Sequence, residues 1–148
     1  MNGKISEHVS IKEFTHSDTA IRYGIKNELD STQFQRAKEL CEAIFEPLRK
    51  FMGEPIKVNS GLRSLAINKR IGGSLTSQHM KGEALDLHLN AKGFYYIKDN
   101  LPFDQLIWEM GNDNEPQWVH VSFHKEHNRG QVLKAYKSAG KTKYKPFE

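Results

Sequence analysis

Ser77-Gln78-His79-Met80-Lys81-Gly82-Glu83-Ala84-Leu85-Asp86-Leu87-His88-Leu89, joined further on by Trp118-Val119-His120-Val121-Ser122-Phe123, carries the clearest structural pattern in the chain. Ala84, Asp86 and His88 alternate with Leu85, Leu87 and Leu89, and a period of two sends the polar members to one face of a strand and the leucines into a core. The second segment repeats the pattern, with Trp118, His120 and Ser122 opposite Val119, Val121 and Phe123. His120 and Asp86 can therefore share a pocket on the outer face of one sheet. His79 precedes Asp86 across Gly82, so a turn rather than a continuous helix is needed to bring it to the same side.

Two imidazoles and one carboxylate match the three protein ligands of a zinc site that keeps a fourth position open. Singly, His79, Asp86 and His120 each read as an ordinary hydrogen-bonded polar residue; their combination in this pattern points to a metal. A closed structural site would ask for a fourth ligand, commonly cysteine, and the one cysteine, Cys41, falls on a distant helical segment, where it reads as a core thiol. His88 shares a face with Asp86 and reads as a hydrogen-bond partner behind the ligands or as a surface residue.

Outward from this centre, Phe34, Ala37, Leu40, Cys41, Ile44, Phe45, Leu48 and Phe51 recur at spacings of three and four. They predict a long amphipathic helix capped by Ser31 or Thr32, ending near Gly53 and open to a kink at Pro47. Before it, a short helix near 10–14 and an extended arm are expected to pack on the domain. After it come a strand at 56–59, a turn at Ser60-Gly61, a helix at 65–71 and a Gly72-Gly73-Ser74 loop. A surface helix at 92–100 should turn Phe94, Tyr95 and Ile97 inward. A strand at 106–109 is joined through Gly111-Asn112-Asp113-Asn114 to the His120 strand as a hairpin. The fold class expected is α+β: a small antiparallel sheet carrying the zinc site, with helices packed against it.

A chain of 148 residues fits one domain, here 1–148, with 37% hydrophobic and 27% charged residues, an ordinary balance for a globular chain. No run approaches the roughly 18 apolar residues of a membrane span. With a net charge of +4 and pI of about 9.1, polyanions are favoured partners. Nucleic acid is not expected, because the cations are scattered and only the tail from Lys134 to Lys145, read as a solvated surface segment, is locally basic.

Ser-x-His, six residues, Asp, then Trp-x-His-Val-Ser resembles the M15 zinc peptidases. So do Glu13-Phe14-Thr15, Pro47-Leu48-Arg49, Ser60-Gly61-Leu62-Arg63-Ser64, Asn68, Gly72-Gly73-Ser74 and Phe103-Asp104-Gln105-Leu106-Ile107, which read like the phage and prophage branch. The resemblance implies a fold similar to the D-Ala-D-Ala peptidases and the hedgehog domain, with Zn²⁺ held by His79, Asp86 and His120. It also implies hydrolysis of D-amino-acid-containing peptide bonds in the peptidoglycan stem, as a carboxypeptidase or an endolysin-type endopeptidase. Arg63 is similar to the family's pocket arginine, suited to a substrate carboxylate or a developing oxyanion. Ser77 would orient the His79 loop or touch substrate, and Trp118 would wall the cleft.

In one respect the chain departs from the resemblance. Many members carry an acidic residue three positions before the last histidine, where this chain has Gln117, which cannot act as a base. In a hairpin pairing Ile107 with His120, Glu109 lies opposite Trp118 on the same face as His120, and it falls within the Leu-Ile-x-Glu pattern that looks typical of this branch; it is expected to act as general base, ahead of Glu115 and Asp113 in the turn. The rival is a zinc-containing module that binds without cleaving, or a structural part of a phage particle. The start, Met1-Asn2-Gly3-Lys4-Ile5-Ser6-Glu7-His8, lacks the apolar core of a secretory signal, so synthesis in the cytoplasm is expected. Action on the wall would then follow lysis, holin-type export or incorporation into a particle.

Overall fold

The structure, a computed structural model, describes residues 3–148. Strands β1 (Lys4–Ser6) and β2 (Val9–Ser10) pair antiparallel and lead into helix α1 (Ile11–Thr15). A capping box starts α1: Ser10 Oγ accepts from the Glu13 N–H, and the Glu13 carboxylate accepts from the Ser10 N–H. The next stretch, expected to be extended, instead forms α2 (Asp18–Tyr23), capped by Ser17 and stopped by Gly24 in the left-handed conformation. It buries only Ala20, so no apolar periodicity announces it. The arm does pack on the rest: Asn27 donates to the carbonyls of Thr15 and Leu62 and accepts from the Ser64 N–H, bracketing Arg63.

The long helix is present as α3 (Ser31–Leu40), a π-helical stretch (Cys41–Phe45) and α4 (Glu46–Met52), ending at Gly53. Its cap is Asp30 rather than Ser31 or Thr32, because Asp30 and Gln33 exchange side chain-to-backbone hydrogen bonds that satisfy two donors at once. The irregularity expected at Pro47 is the wide turn just before it, where the Glu46 N–H reaches back to the Cys41 carbonyl. Cys41 is fully buried, and burial raises its thiol far above the ordinary range.

Strand β3 (Val58–Ser60) is followed by α5 (Leu65–Arg70), a 3₁₀ turn (Gln78–Lys81), β4 (Ala84–Leu87) and α6 (Ala91–Asn100), then β5 (Gln105–Glu109) and β6 (Trp118–Ser122). On α6, Phe94 and Ile97 face inward as expected, whereas Tyr95 is exposed and its neighbour Tyr96 stacks on Phe51. The α+β class holds, but the sheet is neither small nor wholly antiparallel. With β7 (Gln131–Ser138) and β8 (Lys141–Pro146) it has six strands in the order β3-β4-β6-β5-β7-β8, and β7 runs parallel to β5. Asp104 fixes that pairing: its carboxylate accepts from the Arg129 backbone and guanidinium, and its carbonyl accepts from the Gln131 N–H, so β7 starts alongside β5.

The basic tail, expected as a solvated segment, is therefore two strands, with β8 (Lys141–Pro146) folding back on β7. Ala139 and Gly140 both have positive φ, the requirement of a two-residue hairpin turn. Lys141, Lys143 and Lys145 decorate the outer edge strand, where charge discourages pairing with another chain.

One face of the sheet, through Leu85, Leu87, Leu106, Trp108, Val119 and Val121, joins Leu40, Ile44, Phe45, Leu48, Phe94 and Ile97 of the helices in a single apolar core. The opposite face carries Asp86, His120, Trp118, Glu109, Ala135 and Tyr144 in paired register. Among the described residues no helix is long and apolar enough to cross a membrane.

Candidate metal centre

Asp86 on β4 and His120 on β6 are direct cross-strand partners, so their side chains rise from the same point of the outer face, with His120 Nδ1 3.0 Å from Asp86 Oδ1. His79 arrives from the 3₁₀ turn, which Ser77 caps by accepting from the His79 N–H and which Gly82 ends in the left-handed conformation at φ 76°. A Cβ at Gly82 would lie 2.7 Å from the Gln33 carbonyl oxygen, so both backbone angle and space demand glycine there. The expected turn delivers His79 Nε2 to 3.3 Å from Asp86 Oδ1, and the two imidazole rings stand 5.2 Å apart.

The ligating atoms of His79, Asp86 and His120 lie within 4.8 Å of one another. His79 is 1% exposed, and its Nδ1 lies 2.7 Å from the Gly61 carbonyl. A carbonyl can only accept, so Nδ1 carries the proton and Nε2 offers a bare lone pair to the centre. That Nε2 is buried without a hydrogen-bond partner, the state a cation would relieve. Gly61 itself is packed against α1, where a Cβ would sit 2.4 Å from the Phe14 carbonyl oxygen.

The electrostatics suit a cation as well. Burial drives the His79 pKa down against the pull of Asp86, which keeps the ring neutral. Burial opposes ionisation of Asp86, but the two imidazoles beside it overcome that and hold its carboxyl far below the usual range. The donor set is thus two imidazole nitrogens and one carboxylate oxygen, that of a three-ligand zinc site.

Around this trio, β5 and β6 have the expected register, Ile107 opposite His120 and Glu109 opposite Trp118. Glu109 is 7% exposed. Burial pushes its carboxyl up to about 7, with Asp86 adding to the rise and His120 and Arg63 opposing it. The other carboxylates weighed for that role are engaged elsewhere: Glu115 accepts from the Ala91 N–H at the start of α6, and Asp113 is exposed and paired with Lys134. Gln117 is exposed. His88 is exposed too and lies outside the cluster.

Arg63 is held from behind, its backbone N–H donating to the His79 carbonyl, and its Nε is buried without a partner. Burial lowers its pKa, while Asp86, Glu109 and Tyr144 act in the other direction, so its guanidinium lies within the field of the cluster. Tyr144 was not foreseen, because its strand was read as surface tail. Its signal in the sequence was the Ala139-Gly140 turn between Val132, Leu133 and Tyr136 on one side and Thr142 and Tyr144 on the other, obscured by lysines.

Glu109 has a consequence for stability that can be measured without any metal. Its folded pKa of about 7 lies above the ordinary 4.5, so the folded state holds the proton more tightly than the unfolded chain. The stability tied to that proton is full below about pH 4.5 and is lost as pH rises through about 7. Glu109→Gln keeps the neutral shape at every pH. In urea unfolding of the metal-free protein it should stabilise by up to roughly 3 kcal/mol at pH 8 and by little at pH 4.5. Parallel pH profiles for both proteins would show that Glu109 is not held neutral.

Residues 7–122 match the sequence model of a family described as Peptidase M15. A stretch of 50 residues, 33% of this chain, is 44% identical to the zinc D-Ala-D-Ala carboxypeptidase of Streptomyces albus G and covers 20% of that protein. The chain thus matches about a fifth of that relative's length.

Proposed function

Since the chain belongs to the peptidase M15 family, we propose that it is a zinc-dependent peptidase hydrolysing D-amino-acid-containing peptide bonds of bacterial peptidoglycan. The buried, partnerless Nε2 of His79, aimed at Asp86 beside His120, is the observation that most supports it. Zn²⁺ would be held by His79, Asp86 and His120, and when bound it supplies a Lewis acid that polarises a carbonyl and lowers the pKa of water toward 7.

The rest of the chemistry falls to the chain's own groups. The Glu109 carboxylate takes a proton from the water whose oxygen bonds to the scissile carbonyl carbon. It then passes that proton to the amide nitrogen as the C–N bond breaks, so a carboxylic acid and a free amine leave. The Arg63 guanidinium, with a buried donor that lacks a partner, binds a substrate carboxylate or the oxygen on which negative charge develops. Trp118, half-buried beside Glu109 in the register, forms a wall of the cleft, and Ser77 holds the His79 turn.

Whether D-alanine is trimmed from a stem end, as a carboxypeptidase would do, or a bond is opened within the wall, as an endolysin would do, is read directly from the products. Purified walls and isolated muropeptides are incubated with the protein and examined by mass spectrometry. Wild type should release new amino groups, lose that activity with a chelator and regain it with Zn²⁺. A protein that takes up zinc yet leaves every muropeptide intact is instead a non-catalytic zinc-binding or phage structural module.

A further inference from the structure

We propose that Tyr144, on the C-terminal strand β8, is a substrate-positioning residue that forms the far wall of the cleft and donates a hydrogen bond from its phenol to a backbone carbonyl of the bound peptide. The inference rests on the peptidase reading above and adds a residue outside positions 7–122, the part matched to the family.

The sheet register carries it. Glu109 pairs with Trp118 on one side and with Ala135 on the other, and Ala135 pairs with Tyr144. Trp118, Glu109, Ala135 and Tyr144 thus form one row across four strands, and residues paired this way project to the same face. The next row on that face contains Asp86, His120, Ile107, Leu133 and Pro146, so Tyr144 and the metal-centre residues share it. Lys145 of β8 and Phe147 just beyond it confirm the direction. Phe147 packs on Phe94 and Trp108 at the core face, and Lys145 pairs with Lys134, which lies over the Trp108 ring.

Two strand spacings, roughly 10 Å, separate the backbones of Glu109 and Tyr144. The residue between them is alanine, too short to block an aromatic side chain leaning across it, and it is completely buried although its own side chain is a single methyl group. Tyr144 is 55% exposed, open to a ligand on that face, and its phenol lies within the field of Glu109, Asp86 and Arg63; partial desolvation together with the two carboxylates raises its pKa, so it remains a neutral O–H donor. Trp118 and Tyr144 therefore flank Glu109 along the row, one aromatic on each side. A peptide laid across the outer face meets the indole, the carboxylate and the phenol in turn.

The test uses the full chain with zinc and the muropeptide that wild type cleaves. Tyr144→Phe keeps the ring and removes only the hydroxyl. It should raise KM about tenfold with kcat changed less than about twofold, as expected when a hydrogen bond made equally in ground and transition states is lost. Zinc content and urea midpoint should match wild type. Calorimetric titration of the same muropeptide into Glu109→Gln and Glu109→Gln/Tyr144→Phe proteins should show the same loss of affinity without turnover. Unchanged KM and affinity, or a fall in zinc content, would overturn the role of Tyr144. If wild type cleaves nothing, the peptidase reading fails by itself. Titration of wild type and Tyr144→Phe with a stem pentapeptide then still decides the tyrosine, because equal affinity, or no binding by either, refutes it.

Discussion

Asp86→Ala is expected to leave a folded protein whose zinc content, measured by elemental mass spectrometry, falls from about one per chain to near zero, with hydrolysis reduced at least about 10⁴-fold. Asp86 supplies the only negative charge of the trio, and both imidazoles are arranged around its Oδ1. Without it, two imidazole nitrogens remain, and no other carboxylate belongs to the cluster among the described residues. His79→Ala should abolish metal uptake equally but destabilise the fold as well. It removes a fully packed ring and leaves the Gly61 carbonyl without its donor, a loss of about 1–3 kcal/mol for the unpaired group alone. Asp86→Ala is therefore the cleaner measurement, with circular dichroism and urea unfolding as controls. Full zinc content in a folded Asp86→Ala protein would remove Asp86 from the site and with it the proposed chemistry.

Glu109→Gln should do the reverse: zinc retained near one per chain, KM little changed, and kcat lowered about 10³-fold. Glutamine preserves the size and the hydrogen-bonding reach of the side chain but cannot accept a proton and pass it on. The loss should be large because the neighbouring acidic residues are engaged elsewhere. Glu115 caps α6, Asp113 is tied to Lys134 in solvent, and position 117 carries an amide. The pH profile supplies a second reading of the same group. Activity that needs the Glu109 carboxylate rises with pH through its pKa, which is about 7 in the metal-free protein. A bound cation favours the charged form, so the acid limb of kcat/KM should fall below that value in the zinc enzyme. Wild-type turnover in Glu109→Gln, with an unaltered acid limb, would move the base to another group.

Both predictions draw on residues legible in the sequence, for different reasons. Asp86 and His120 stood out because period-two alternation fixes which face a strand residue occupies, and the pairing of β4 with β6 then made them neighbours. Glu109 followed from counting along a hairpin whose turn residues are glycine, asparagine and aspartate, and the counted register is the one found. Asp30 was missed as a cap because Ser31 and Thr32, equally able in isolation, stand beside it; only Gln33 completing the reciprocal pair selects Asp30. Helix α2 was missed because its stability comes from polar caps at Ser17 and Gly24 rather than from an apolar stripe.

Local terms were thus written in the chain: the periodicity of the central strands, the amphipathic helix from Phe34 to Phe51, and the donor types of the site. Periodicity and propensity act over a few residues and are written in consecutive letters. Long-range packing set β7 parallel to β5, bringing Tyr144 onto the face that holds Asp86 and His120. It also decided that the Gly61 carbonyl would orient His79, and that Arg63 and Glu109 would be buried enough to have their pKa values displaced. Those outcomes depend on pairings between distant segments, such as Asp104 with Arg129, and on how much water the finished packing excludes. No stretch of neighbouring residues records either quantity.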